Sequence, residues 1–186
     1  MTEQAGRLVV LDRDGVINQA PETYVLSARD WIPIEGSPDA IAALGRNGFT
    51  VCVATNQSCI GRGLVSRDEI DLIHQKMCER IERAGGRIDK IWLCPHRPER
   101  SCDCRKPRGG MLLQIAEYYG VPLAGIPVVG DAATDLEAAA SVGARGILVL
   151  TGKGQDTLAA MGQNAEPEVY ADLGEVAAML IDEAGN

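Results

Sequence analysis

Five short, largely apolar runs punctuate this chain: Leu8–Leu11, Phe49–Ala54, Lys90–Leu93, Pro127–Val129 and Ile147–Leu150. None shows the strict apolar–polar alternation of a half-exposed strand, so each reads as a strand buried on both faces of a parallel sheet. Helical patterns separate them. Ser37 opens one, with Pro38 at its first position and Ile41 and Leu44 three apart. Ser66 with Glu69 forms a capping box ahead of an Ile70, Ile73, Met77, Ile81 stripe. Met111–Tyr119 is stopped by Gly120, Thr134–Val142 by Gly143, and Leu173–Ile181 closes the chain. Strand–helix alternation of this kind predicts a doubly wound, mostly parallel α/β sheet. With 186 residues and no repeat or linker, one domain over 1–186 is expected.

Ligands of such sheets bind beyond the carboxyl ends of the strands. The residues standing there are Asp12, Thr55, Cys94 and Asp131. The net charge of −8 argues against broad nucleic-acid binding but leaves room for a small anion in a locally basic pocket. No apolar run reaches the ~18 residues of a membrane helix. Met1–Gly6 is polar and includes Glu3, so no secretion signal is expected.

Four strand-end motifs carry chemistry. In Asp12-Arg13-Asp14-Gly15, two carboxylates at i and i+2 can converge on one point, where one can attack and the other transfer a proton, or the segment is a solvated Asp-Gly turn. In Thr55-Asn56-Gln57-Ser58, a hydroxyl and turn amides can hold a phosphoryl group, or the segment is an ordinary polar loop. Arg105-Lys106-Pro107 supplies either a fixed counter-charge or a solvated basic pair. Asp131 is a hard oxygen ligand suited to Mg²⁺; Asp135 either supports it or favours the start of the following helix.

Taken in order, Asp12, Asp14, Thr55, Lys106 and Asp131/Asp135 resemble the four motifs of the haloacid dehalogenase-like phosphatases over nearly the whole chain. The resemblance implies a Rossmann-like fold without a large cap domain. It implies that Asp12 becomes an aspartyl-phosphate and Asp14 serves as acid and base. Mg²⁺ would be held by Asp12, Asp131 and the main-chain carbonyl of Asp14, while Thr55 and Lys106 hold phosphoryl oxygens.

Six cysteines without a secretion signal point to reduced thiols. Cys94, His96, Cys102 and Cys104 make a closed three-sulfur, one-nitrogen set, read as structural Zn²⁺ in a loop spanning 94–104. The metal would order the loop that ends in Arg105-Lys106.

That loop narrows the resemblance to two groups, the D-glycero-D-manno-heptose 1,7-bisphosphate 7-phosphatases and the histidinol-phosphate phosphatases. Thr55-Asn56-Gln57-Ser58, Ile60, Arg62-Gly63, Gly110–Leu113, Gly15–Asn18 and Tyr24-Val25 resemble the heptose group. The short interval from His96 to Cys102 is shared with the histidinol group. Cys59 stands where the heptose family often has Gly, and Ala132 where many relatives carry Lys. The resemblance implies substrate contacts from Arg13, Pro21, Glu22, Thr23, Tyr24, Asn56, Gln57, Ser58 and Arg105, the last pairing with a distal phosphate. It also implies a small sugar-phosphate substrate, a cytoplasmic setting and a monomer. His74 reads as a surface or half-buried helix residue, Cys52 and Cys78 as packing, and Thr151–Gly154 as a plain loop or a phosphate contact. The rivals from other classes are a non-catalytic zinc module and a phosphotransferase passing the phosphoryl group to an acceptor other than water.

Overall fold

The computed structural model describes residues 7–162 and 166–185. The Met1–Gly6 segment lies outside the described residues. Six strands, β1 (Leu8–Leu11), β2 (Thr50–Asn56), β3 (Lys90–Cys94), β4 (Pro127–Gly130), β5 (Arg145–Val149) and β6 (Glu168–Tyr170), form one sheet in the order β3-β2-β1-β4-β5-β6. Every pairing is parallel. The helices are α1 (Ser37–Arg46), α2 (Ser58–Gly61), α3 (Arg67–Arg83), α4 (Gly110–Tyr119), α5 (Ala133–Ser141), α6 (Gly154–Ala160) and α7 (Leu173–Gly185).

Strand β1 shows why its run is continuously apolar. Val9 and Leu11 pack on one face with Ile41, Leu44, Ile73 and Val176, from α1, α3 and α7. Leu8 and Val10 pack on the other with Met111, Ile115 and Ala138, from α4 and α5. A strand covered on both sides has no solvent face on which to place polar residues. Strands β1 and β4 are neighbours, and the chain reverses its direction of sheet-building between them. The crevice at such a point is where these folds bind ligands. Asp12 and Asp131 stand on its two sides, and the Asp12 amide donates to the Val129 carbonyl at 2.8 Å.

Several boundaries differ from the sequence expectation. Gly36, at φ 81°, precedes α1, so Ser37 is the first helical residue; its hydroxyl donates to the Val16 carbonyl instead of capping. Ser66 does cap α3, accepting from the Glu69 amide at 3.1 Å, but the Glu69 carboxylate accepts from the Ala28 amide. Strand β6 and helices α2 and α6 were not expected. All three residues of β6 are half-buried at the sheet edge, so no apolar run marks it. His74 is buried, not at the surface. No helix among the described residues is long and apolar enough to cross a membrane.

Candidate active site

The loop after β1 turns at Gly15, whose φ of 85° suits glycine. A Cβ there would lie 2.0 Å from Asp131 Oδ2, so the two strand ends meet only because this side chain is missing. Gly152, after β5, closes the same junction: its Cβ would lie 2.2 Å from Asp131 Oδ2 and 2.5 Å from the Gly15 Cα. Thr151 donates to the Gly15 carbonyl at 2.6 Å, and the Lys153 amide to Asp131 Oδ2 at 2.8 Å. The segment Thr151–Gly154, read from sequence as a plain loop or a phosphate contact, thus braces the acidic centre through the Thr151 hydroxyl and the Lys153 amide.

Asp12, Asp14, Thr55, Lys106, Asp131 and Asp135 line one pocket of about 460 Å³. Asp12, Asp131 and Asp135 each bring a carboxylate oxygen within 4.8 Å of the others. Lys106 is buried among them, its ammonium 2.9 Å from Asp12 Oδ1, 2.5 Å from Asp135 Oδ1 and 2.7 Å from the Ala54 carbonyl. Three protein oxygens therefore surround the ammonium, the Ala54 carbonyl as its hydrogen-bond acceptor and the two carboxylates as ion-pair partners. Burial works against that charge, but Asp12 and Asp135 outweigh it and raise the Lys106 pKa. Asp135 also accepts from the Ala132 amide at 3.1 Å. It is therefore both a helix-start acid and the partner that holds Lys106.

One ammonium does not balance three carboxylates. Burial, opposed by Lys106 and reinforced by Asp135, Asp14 and Asp131, pushes the Asp12 pKa up to about 7. Burial and Asp135 likewise push Asp131 up to about 6, although the Lys153 amide opposes them. Asp12 Oδ1 is buried with no aligned hydrogen-bond donor among the described residues. A buried oxygen cluster short of positive charge is the donor set that a hard divalent cation satisfies.

Asp14 is treated differently. Its Oδ1 accepts from Arg13 Nε at 3.0 Å and Asn18 Nδ2 at 2.8 Å; its Oδ2 accepts from Arg13 Nη2 and Gln57 Nε2, both at 2.9 Å. Burial would raise its pKa, but the Arg13 guanidinium and these hydrogen bonds outweigh it, and the carboxyl sits below its ordinary range. Thr55 Oγ1 accepts from Gln57 Nε2 at 3.0 Å, which leaves its own proton to donate into the pocket.

The expected substrate contacts divide. Pro21, Glu22, Thr23, Tyr24, Asn56, Ser58 and Arg105 line the same pocket as the acidic centre. Asn56 spends its amide on the Lys106 backbone, donating to its carbonyl at 3.0 Å and accepting from its N–H at 3.2 Å. Arg13 and Gln57 do not line the pocket. Both side chains are buried behind it, and their polar atoms are spent on Asp14 and Thr55.

Beside Lys106, the four expected metal ligands gather. Cys94 Sγ lies 3.6 Å from His96 Nδ1, 3.8 Å from Cys102 Sγ and 3.3 Å from Cys104 Sγ, and His96 Nδ1 lies 3.2 Å from Cys104 Sγ. A tetrahedron with Zn–S bonds of ~2.3 Å has sulfur–sulfur edges of about 3.8 Å, and these spacings fit it. None of the three cysteines is in a disulfide. Helix α2 pins the loop: the Gly61 amide donates to the Pro95 carbonyl, and Arg97 Nε to the Gly61 carbonyl.

A family model for HAD-hydrolase-like proteins matches residues 103–176. The D-glycero-beta-D-manno-heptose-1,7-bisphosphate 7-phosphatase of Pseudomonas putida is 46% identical over 178 residues, 94% of this chain and 99% of the relative. The chain belongs to this phosphatase family. Its Escherichia coli member is 38% identical over 154 residues, 78% of this chain and 80% of the relative. A crystal structure of the Bordetella bronchiseptica D,D-heptose 1,7-bisphosphate phosphatase, complexed with magnesium and phosphate, superposes with a TM-score of 0.92 at 46% identity. It covers 95% of this chain and 99% of that one.

Two features of the site escaped the sequence reading of this family member: Asn18 holds Asp14, and His74 touches Arg13, its Nε2 3.3 Å from Arg13 Nη1. Lys153, in the segment read as a plain loop or a phosphate contact, lines the pocket. Asn18 lies in the same loop as the aspartate pair, which was a signal. His74 lies on a distant helix and gave none.

Proposed function

We infer that this chain is a Mg²⁺-dependent phosphomonoesterase that removes the 7-phosphate of D-glycero-β-D-manno-heptose 1,7-bisphosphate in the cytoplasm. The observation that carries the reading is the meeting of Asp12 and Asp14 with buried Lys106 in one pocket at the sheet crevice. The relatives supply the substrate and its anomer.

In this reading Asp12 attacks phosphorus in line, and the ester P–O bond to the sugar breaks. Asp14, ionised in the free site, must take up a proton as the substrate's phosphate binds beside it, and it gives that proton to the departing alkoxide. It then takes a proton from the water that attacks the aspartyl-phosphate, which frees Asp12 and inorganic phosphate. Thr55 donates its hydroxyl proton to a phosphoryl oxygen. Lys106, with protein oxygens around its ammonium, acts as a fixed positive charge beside Asp12. Asp12, Asp131 and the main-chain carbonyl of Asp14 would hold Mg²⁺, which would neutralise phosphate charge so that one anion can approach another. Arg105, which lines the pocket, would pair with the distal phosphate.

The test is kcat/KM for phosphate release from the β anomer, the α anomer and histidinol phosphate, since that ratio measures discrimination. The expected preference is ~100-fold or more for the β bisphosphate over histidinol phosphate, about 2.7 kcal/mol of transition-state binding. A preference for histidinol phosphate would overturn the substrate.

A further inference from the structure

Behind the pocket, the most completely buried charge of the molecule has a partner that the reaction does not call on. Arg13 is 0% exposed and His74, on α3, only 7%. The planar guanidinium has five N–H donors and no acceptor, and it stays charged. One edge of it grips Asp14 through Nε and Nη2, and Nη2 also donates to Gln57 Oε1 at 3.1 Å. The opposite nitrogen, Nη1, faces His74 Nε2 at 3.3 Å.

A guanidinium can only donate, so His74 Nε2 must accept. The imidazole is then neutral, with its proton on Nδ1. Burial first, and Arg13 second, hold its pKa down to about 4, in keeping with that form. Arg13 is therefore fixed on two sides: by α3 through His74, and by Gln57, the residue between β2 and α2. Two of the four hydrogen bonds that orient the Asp14 carboxylate come from this one side chain.

We propose that His74 is a positioning residue for the reaction: by anchoring the far end of Arg13 it sets the orientation of the Asp14 carboxylate. This rests on the reading of Asp14 as acid and base. With the anchor removed, the guanidinium tilts and carries the carboxylate with it. Misplacement of a catalytic group by ~1 Å can cost as much as 10²-fold; two other donors still hold Asp14, so a smaller loss is expected here.

The experiment separates positioning from mere structure by leaving group. A sugar alkoxide needs the proton of Asp14 to leave; 4-nitrophenolate does not. Because kcat/KM reports only the steps up to release of the leaving group, it depends on Asp14 for the first substrate and hardly at all for the second. His74→Phe, which keeps a ring but removes the acceptor, is expected to lower kcat/KM on the heptose bisphosphate about tenfold, and on 4-nitrophenyl phosphate less than twofold. His74→Gln, which restores an acceptor, is expected to return most of the loss. Asp14→Asn calibrates the test, with a larger loss on the sugar substrate than on the nitrophenyl ester. Equal losses of His74→Phe on both substrates, or no loss on either, would overturn the proposal while the Asp14→Asn split left the reaction intact. Absence of that split in Asp14→Asn would overturn the acid role, and the proposal with it. Nitrogen NMR of the unsubstituted protein, which has two histidines, gives a check that needs no variant. His74 is expected as the Nδ1–H tautomer, and an Nε2–H or doubly protonated ring would exclude the contact to Arg13.

Discussion

Asp12→Asn is expected to reduce phosphate release by at least ~10⁴-fold, the scale on which removal of a covalent nucleophile is felt. The fold is expected to survive. Asp12 sits where burial and three other carboxylates disfavour its ionised form, so a neutral amide of the same shape removes a charge that the metal-free protein accommodates poorly. Lys106 keeps Asp135 and the Ala54 carbonyl as partners. Circular dichroism and the thermal midpoint should therefore stay close to those of the parent protein, while turnover and incorporation of labelled phosphate both disappear. Retained turnover in this variant, with contaminating phosphatase excluded, would remove Asp12 from the centre of the reaction.

The second large effect concerns the Cys94–His96–Cys102–Cys104 cluster. The protein is expected to hold one tightly bound Zn²⁺ per chain, and its cobalt-substituted form to show the intense visible bands of a tetrahedral thiolate site. Cys104→Ser is expected to lose the metal and to lower kcat by ~100-fold or more. Cys104 stands two residues before Lys106, in a loop that the cluster holds together with Asn56, the contacts of α2, the Asp103–Gly110 turn and the Lys106 ion pairs. A structural zinc site contributes on the order of 10 kcal/mol, comparable with the stability of a whole domain at about 5–15 kcal/mol. Metal loss should therefore release the loop, while the sheet and its two apolar faces, built elsewhere, persist. Full activity in metal-depleted protein would show that Lys106 is held without the cluster.

The parts of this architecture that were legible in the sequence are those where one physical requirement dominates. Strand β1 is buried on both faces, and its run Leu8–Leu11 was visible from end to end. Cys94, His96, Cys102 and Cys104 are close in sequence and few residue types bind zinc, so the four together pointed to a metal site, and the structure gathers them. The strand-end rule put Asp12, Thr55 and Asp131 at the pocket because parallel sheets bind ligands only at that end. What stayed hidden depended on tertiary partners. Strand β6 is a short edge whose identity comes from pairing with β5. The resemblance implies substrate contacts from Arg13 and Gln57. Their side chains instead turn inward, since a buried guanidinium can be satisfied only by acceptors that lie behind the pocket. His74 came from a helix whose apolar stripe explained itself without it. Asp135 was open between two roles and has both, because its two oxygens reach Ala132 and Lys106 separately.

The most direct measurement is ³¹P NMR of the β bisphosphate during turnover with Mg²⁺. The two phosphates differ in chemistry, one a primary ester at the end of the sugar chain and the other on the anomeric carbon. The account requires the primary ester signal to vanish as inorganic phosphate grows, with the anomeric signal retained to the end. Loss of the anomeric phosphate first, or no release from the bisphosphate by protein that hydrolyses histidinol phosphate, would contradict it.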